Sequence, residues 1–150
     1  KEGLAKLLDF SKMSIESFRM PDDWRFKLVD TGIRRSLSET NYSSSEIKIE
    51  TRRIHAKEES ARVRTALSSD ARALGSILNE SHASISDNIR ASTPEIDNMV
   101  KEIQSTAGVL GARLMGGGFG GMILALVEEE DALPGELLVS SAPAFLQETL

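Results

Sequence analysis

The sequence predicts an α+β domain: an antiparallel sheet with helices packed on one face. Three observations lead there. Short runs with strand character sit near both ends of the chain, within residues 1–42 and again around a glycine cluster at 116–121. A block with helical periodicity, residues 46–106, lies between them. Strands and helices do not alternate in the regular order that a parallel sheet requires.

The elements follow in order. Residues 4–10 form one apolar run. Glu16, Phe18 and Met20 alternate with Ile15, Ser17 and Arg19, a strand pattern, and Pro21-Asp22-Asp23 marks a turn. Trp24, Phe26 and Leu28 then alternate with Arg25 and Lys27, which predicts a strand with one apolar face, ended by Thr31-Gly32. Residues 36–45 are polar and serine-rich, a loop or short helix. In the helical block, Glu58 and Arg62 are spaced as a helix ion pair, and Ala56, Val63 and Leu67 share a face. A second helix is expected over residues 70–85, with Leu74, Ile77, Leu78 and Ile85 on its apolar stripe. Ser92-Thr93-Pro94-Glu95 reads as a capping box with proline in the first turn. Ile96, Met99, Val100 and Ile103 continue that third helix, and Gly108 stops it. The tail after residue 128 carries a Pro134-Gly135 turn with a short strand and a short helix expected around it.

The glycine cluster Gly116-Gly117-Gly118-Phe119-Gly120-Gly121 lies between Val109-Leu110-Gly111-Ala112-Arg113-Leu114-Met115 and Met122-Ile123-Leu124-Ala125-Leu126-Val127. Both flanks have the pattern of buried strands. Glycine amides in succession can form a concave anion nest, which makes phosphate the first functional expectation. Gly116, Gly118 and Gly121 satisfy G-x-G-x-x-G, but a strand follows where the dinucleotide fingerprint needs a helix. A P-loop needs Lys-Ser or Lys-Thr after the last glycine, and Met122-Ile123 stands there. A tight hairpin whose glycines only relieve backbone strain is the alternative for this segment.

Composition narrows the classes. The 150 residues suit one domain, and 40% hydrophobic with 27% charged residues is ordinary for a globular protein. There is no cysteine, and two histidines far apart argue against a zinc centre. The net charge of −5 disfavours nucleic acid as a partner. No apolar run approaches a membrane span and no signal peptide opens the chain, so no membrane partner and a cytoplasmic location are expected. The chain starts with Lys1 rather than Met, as a processed, trimmed or excerpted polypeptide would.

Two segments together resemble one family. Gly111-Ala112-Arg113-Leu114-Met115-Gly116-Gly117-Gly118-Phe119-Gly120-Gly121 is similar to the third signature motif of the GHMP small-molecule kinases, in its galactokinase form. Glu80-Ser81-His82-Ala83-Ser84-Ile85-Ser86-Asp87, leading into Ser92-Thr93-Pro94-Glu95-Ile96-Asp97, resembles the galactokinase stretch Ser-His-x-Ser-Leu-Arg-Asp and Ser-x-Pro-Glu-Leu-Asp. Val29-Asp30-Thr31-Gly32-Ile33-Arg34-Arg35-Ser36-Leu37, with Tyr42 beyond, and Leu7-Leu8-Asp9-Phe10 are weaker matches.

The resemblance implies the C-terminal portion of a two-lobed kinase that moves the γ-phosphate of ATP, with Mg²⁺, to the anomeric hydroxyl of galactose. The fold it implies is the GHMP C-terminal domain, ferredoxin-like. Residues 1–150 then make one such domain. Residues 1–42 lead in from an N-terminal lobe, and 43–150 hold the helices and the glycine-loop hairpin. Gly116, Gly117 and Gly118 match the loop beside the ATP phosphates, and Tyr42 matches a tyrosine that contacts the sugar. The family's catalytic base and main phosphate loop lie upstream, so no catalytic residue is expected in this chain and its isolated form is expected to be inactive. Partners are the N-terminal lobe and a small sugar, with self-association through the surface facing that lobe. His82, Ser92 and Glu95 have ordinary structural readings, and the 128–131 acidic run reads as a solvated end.

The chain departs from the family at Met115, where Thr is usual, at Met122, where Cys is common, and at Ser86, where Arg is usual. Ser43-Ser44-Ser45-Glu46 replaces an Arg cluster after Tyr42, and the segments before Asp70 and after Val127 are shorter than usual. These changes keep two alternatives open: a non-catalytic sensor that binds sugar or nucleotide without turnover, and a GHMP kinase for another sugar.

Overall fold

The computed structural model describes residues 4–34 and 49–139. Its first unit is an antiparallel hairpin of β1 (Leu4–Asp9) and β2 (Ser14–Arg19), with Leu8 opposite Ile15. A three-stranded antiparallel sheet follows, built from β3 (Arg25–Asp30), β4 (Val109–Leu114) and β5 (Met122–Val127) in the order β3–β5–β4. Helices α1 (Ile49–Ala66), α2 (Ala71–Asp87) and α3 (Pro94–Gln104) come between β3 and β4. The α+β class and antiparallel sheet are as expected. The strand order matches strands one, three and two of a β-α-β-β-α-β ferredoxin-like unit.

Alternation along the strands divides the core. Ile123, Ala125 and Val127 share one cluster with Ala112 and Leu114 of β4 and with Ile96, Val100 and Ile103 of α3. Leu126 on the opposite face joins Trp24, Leu74 and Leu78. Phe18 and Phe26 meet Trp24 edge-on, which links the hairpin to the sheet.

Helix α2 runs along β4. The side chain of Asn79 accepts from the amide of Ala112 at 2.9 Å, and Nδ1 of His82 accepts from that of Leu114 at 3.4 Å. Gln104 of α3 donates to the Ala112 carbonyl at 2.9 Å. Side chains thus take the place of a further strand, as buried backbone groups require. The approach is close because Gly75 and Gly111 face each other without side chains: a Cβ on Gly111 would lie 2.0 Å from the Gly75 carbonyl oxygen.

Four local expectations change. Trp24 and Phe26 of the predicted apolar face join the core, but at its end Lys27 is buried and Leu28 is exposed, the reverse of the expectation. The reason is the 133–138 segment: Lys27 Nζ donates to the carbonyls of Leu133 and Gly135, both at 2.5 Å, and the Leu138 amide donates to Phe26 at 2.8 Å. The predicted apolar face of α1 forms no core, since no residue of that helix is buried and Val63 and Leu67 remain exposed. Helix α3 is capped by Thr93 rather than Ser92: Thr93 is extended (φ −123°, ψ 157°) and its Oγ1 accepts from Ile96. Proline disfavours a helical residue before it, so the cap must be the residue next to Pro94. In the tail, a short 3₁₀ turn, Glu130–Ala132, precedes the Pro134-Gly135 bend, and no strand forms over 128–139; residues 140–150 lie outside the described residues.

Candidate functional site

The glycine loop joins β4 to β5. Its base is closed by the Met115 amide donating to the Met122 carbonyl at 2.9 Å. It is threaded between two connections. The Phe119 amide donates to Ala91, just after α2, at 2.8 Å, and the Gly121 amide donates to Ile33, just after β3, at 3.1 Å. Thr31 returns both its amide and its hydroxyl to the Gly121 carbonyl, each at 2.9 Å. Gly118 adopts φ +88°, and a Cβ there would stand 2.3 Å from the Ala91 carbonyl oxygen. The sequence requirement for glycine at this position is therefore both torsional and steric.

Among the described residues, none accepts a hydrogen bond from the amides of Gly116, Gly117 or Gly118. Three successive donors without an acceptor among the described residues fit an anion such as a nucleotide phosphate. A cavity of about 170 Å³ borders them, lined by His55, Ile85, Ile89, Ala91, Arg113 and Leu114 as well as the three glycines. A larger cavity, about 640 Å³, lies between the β1–β2 hairpin and α1, with Leu7, Leu8, Phe10 and Val63 in its walls.

A polar cluster stands behind the loop. Glu59 Oε1 accepts from Ser81 Oγ and from Arg113 Nη1, both at 2.6 Å, while Oε2 accepts from Arg62 Nε at 2.9 Å. Burial pushes the Glu59 carboxyl up, but the hydrogen bonds from Ser81, Arg62 and Arg113, together with the Arg113 charge, leave it below its ordinary value. His55 Nδ1 meets Ser84 Oγ at 2.8 Å. Burial is the largest influence on His82 and lowers its pKa; Asp97 opposes this and Arg113 reinforces it. His82 Nε2 stands 3.2 Å from Asp97 Oδ1, an ion-pair distance, but the two atoms are not aligned as a hydrogen bond. With Nδ1 accepting from Leu114, the neutral ring carries its proton on Nε2.

The two halves of one segment that carries the resemblance, residues 80–87 and 92–97, touch each other. Ser86 donates to Asp97 at 2.7 Å, and His82 lies against the same carboxylate. His82 is a structural acceptor at the β4 edge. Asp30 forms a two-point pair with Arg34, at 2.7 and 2.5 Å, and holds the Gly32 amide. Ser92 Oγ is buried and has no hydrogen-bond partner among the described residues, and Glu95 is exposed in the first turn of α3. Glu128 pairs with Arg72, and its carbonyl accepts from Arg25 at 2.7 Å. Tyr42 and the 35–37 match lie outside the described residues. His55, Glu59 and Arg113 were not singled out by sequence. Their signals are present in it: His55, Glu59 and Arg62 recur at four- and three-residue spacing on one helix face, and Arg113 is a lone charge inside an apolar strand.

Comparison with known proteins gives a consistent result. A family model described as GHMP kinases C terminal matches residues 62–134. A galactokinase of Thermococcus kodakarensis is 31% identical over 85% of this chain and 45% of its own length. A galactokinase of Streptomyces coelicolor is 51% identical over 41% of this chain and 16% of its own. The crystal structure of Lactococcus lactis galactokinase, solved with galactose, superposes with a TM-score of 0.60 at 25% identity, covering 85% of this chain and 44% of that one. The crystal structure of L. major mevalonate kinase shares the fold, with a TM-score of 0.57 at 24% identity over 79% of this chain and 38% of that one. The chain thus spans less than half the length of the relatives it matches.

Proposed function

Because residues 62–134 belong to the GHMP kinase C-terminal family and the chain is galactokinase-like, we propose that it forms the C-terminal part of a sugar kinase. The reaction is transfer of the ATP γ-phosphate to the anomeric hydroxyl of galactose. The observation that carries this reading is the run of amides at Gly116, Gly117 and Gly118 that have no acceptor among the described residues, in a loop pinned on both sides by Ala91 and Ile33. Phosphoryl transfer rests mostly on positioning and on electrostatic stabilisation of the phosphates. These residues supply backbone donors to the nucleotide phosphates, and Tyr42 a contact to the sugar. Mg²⁺ enters with the nucleotide; among the described residues no three His, Asp or Glu side chains come together to hold it.

In this reading the base and the main phosphate loop come from an N-terminal lobe, and the 150-residue chain alone has no turnover. The location is cytoplasmic. No described helix is long and apolar enough to cross a membrane. The exposed apolar residues Leu8, Phe10, Met13 and Ile15 of the hairpin belong to the surface facing that lobe.

The test is an assay of ATP-dependent galactose phosphorylation by a longer protein that joins this chain to the lobe preceding it in its relatives. Turnover with galactose supports the proposal. Binding of galactose and ATP without turnover would favour a sensor, and turnover only with another sugar would favour a different GHMP kinase. Turnover by the isolated chain would overturn the placement of the base.

A further inference from the structure

Helix α1 buries no residue, yet it reaches the residues that lead into the glycine loop. Apart from Ala66 at its end, which packs against the Trp24 cluster, its attachment is polar. Glu59 binds Ser81 of α2 and Arg113 of β4, and His55 binds Ser84 of α2. The next residue of β4, Leu114, is held by its amide on His82. Arg113 and Leu114 are therefore tied at adjacent positions, one by its side chain and the other by its backbone, three and two residues before Gly116. Consecutive side chains leave a strand on opposite faces, so a side-chain tie at one residue and an edge tie at the next restrain both shift and rotation of the strand end.

We propose that Glu59 and His82 are positioning residues for the glycine loop, acting through Arg113 and Leu114. Ser81, His82 and Ser84, all buried on α2, then have one shared purpose: each fixes a different neighbour against the strand that delivers the loop. The role of the loop itself rests on the phosphate-binding reading above. The part added here is that α1 and α2 fix the strand end that enters the loop, beside the contacts of the loop itself with Ala91 and Ile33. Glycine-rich backbone has little intrinsic preference, so an external restraint is needed to hold three amides toward one anion. Glu59 suits the task because Arg62, Arg113 and Ser81 keep it ionised and fully hydrogen-bonded although half-buried.

The test uses ¹⁵N spectra and relaxation of the 150-residue chain, which need no catalysis. Glu59→Gln removes the charge that Arg62 and Arg113 share, and His82→Leu removes the acceptor of the Leu114 amide. Both are expected to shift the Gly116, Gly117 and Gly118 amide signals and to lower their order parameters from about 0.85 towards 0.6. Signals of Ile103 and Val127, away from these contacts, stay in place. His82→Asn, whose side-chain oxygen replaces Nδ1, is expected to restore the wild-type loop signals. Should His82→Leu fail to fold, Glu59→Gln and Ser81→Ala carry the test. Loop signals unmoved by Glu59→Gln, or equal disturbance by His82→Asn and His82→Leu, would overturn the proposal. In the longer kinase, the loss expected for Glu59→Gln is about 10- to 100-fold in kcat, with KM for galactose unchanged. A rise in KM for galactose at constant kcat would count against it. Absence of turnover in the unsubstituted longer protein would sink the kinase reading and leave the loop result standing.

Discussion

Gly75 and Gly111 touch backbone to backbone: a Cβ on Gly75 would lie 2.3 Å from the Leu110 carbonyl oxygen, and one on Gly111 2.0 Å from that of Gly75. This contact lets α2 lie close enough for Asn79 and His82 to take the β4 amides. The obstacle is backbone, so a new methyl group must separate helix and strand. Gly111→Ala is expected to destabilise the chain by about 1–3 kcal/mol, the range for overpacking. Urea unfolding checks it. An unchanged midpoint would show that the helix can move away freely.

Lys27 is only 1% exposed, and its ammonium donates to the carbonyls of Leu133 and Gly135. Lys27→Met keeps the length and loses the donors. Two carbonyls then lose their partner, for an expected cost of about 1–3 kcal/mol. Limited proteolysis should cut the substituted chain near residue 135 faster than the parent. Equal cutting rates would mean the strap is held by its apolar contacts alone.

The cap of α3 can be assigned by a pair of substitutions. Thr93→Ala is expected to cost about 1 kcal/mol. Ser92→Ala, which removes a buried hydroxyl without a partner among the described residues, is expected to stay within about 0.5 kcal/mol of zero or to stabilise. The opposite ranking in thermal unfolding would restore the capping box read from the sequence.

His82 makes stability depend on pH with a defined sign. Its ordinary pKa is 6.5 and its folded value is lower, chiefly through burial. Between those values the unfolded chain holds a proton that the folded chain does not. The contribution of the neutral ring is thus complete above pH 6.5 and is lost as pH falls through the window beneath it. Glu59 adds a separate loss only below its ordinary value of 4.5. Unfolding free energy measured from about pH 7.5 down to 5 should fall, and His82→Asn should flatten the slope. A parallel curve for the substituted chain would remove His82 as the cause.

The hairpin presents Phe10 at 80% and Met13 at 85% exposure, beside Leu8 and Ile15. Apolar surface of this kind favours association. Sedimentation velocity of the isolated chain is expected to show a weight-average coefficient that rises with concentration, and Phe10→Ser should reduce the rise. A monodisperse monomer at all concentrations would contradict it.

Much of the fold is legible in the residues themselves. Strand alternation placed β2 and β3, and proline with a four-residue repeat placed α3. The glycine cluster marked the β4–β5 loop. Less legible was the setting of that loop. Ser81, His82 and Arg113 lie in the stretches that carry the resemblance, whereas His55 and Glu59 lie outside them. Their partners come from segments 22 to 54 positions away, so no local pattern joins them.

By itself, then, the sequence determined the class of fold, the order of its elements, the loop and the family motifs, because propensity, periodicity and glycine content act over a few neighbouring residues. Tertiary structure alone decided that Lys27 turns inward, that α1 docks by polar contacts and that His82 serves the edge of β4. Each of these depends on what lies across space. A lysine is buried only when carbonyls arrive to receive it, and a helix without a core face stays attached only when a charge such as Arg113 meets it.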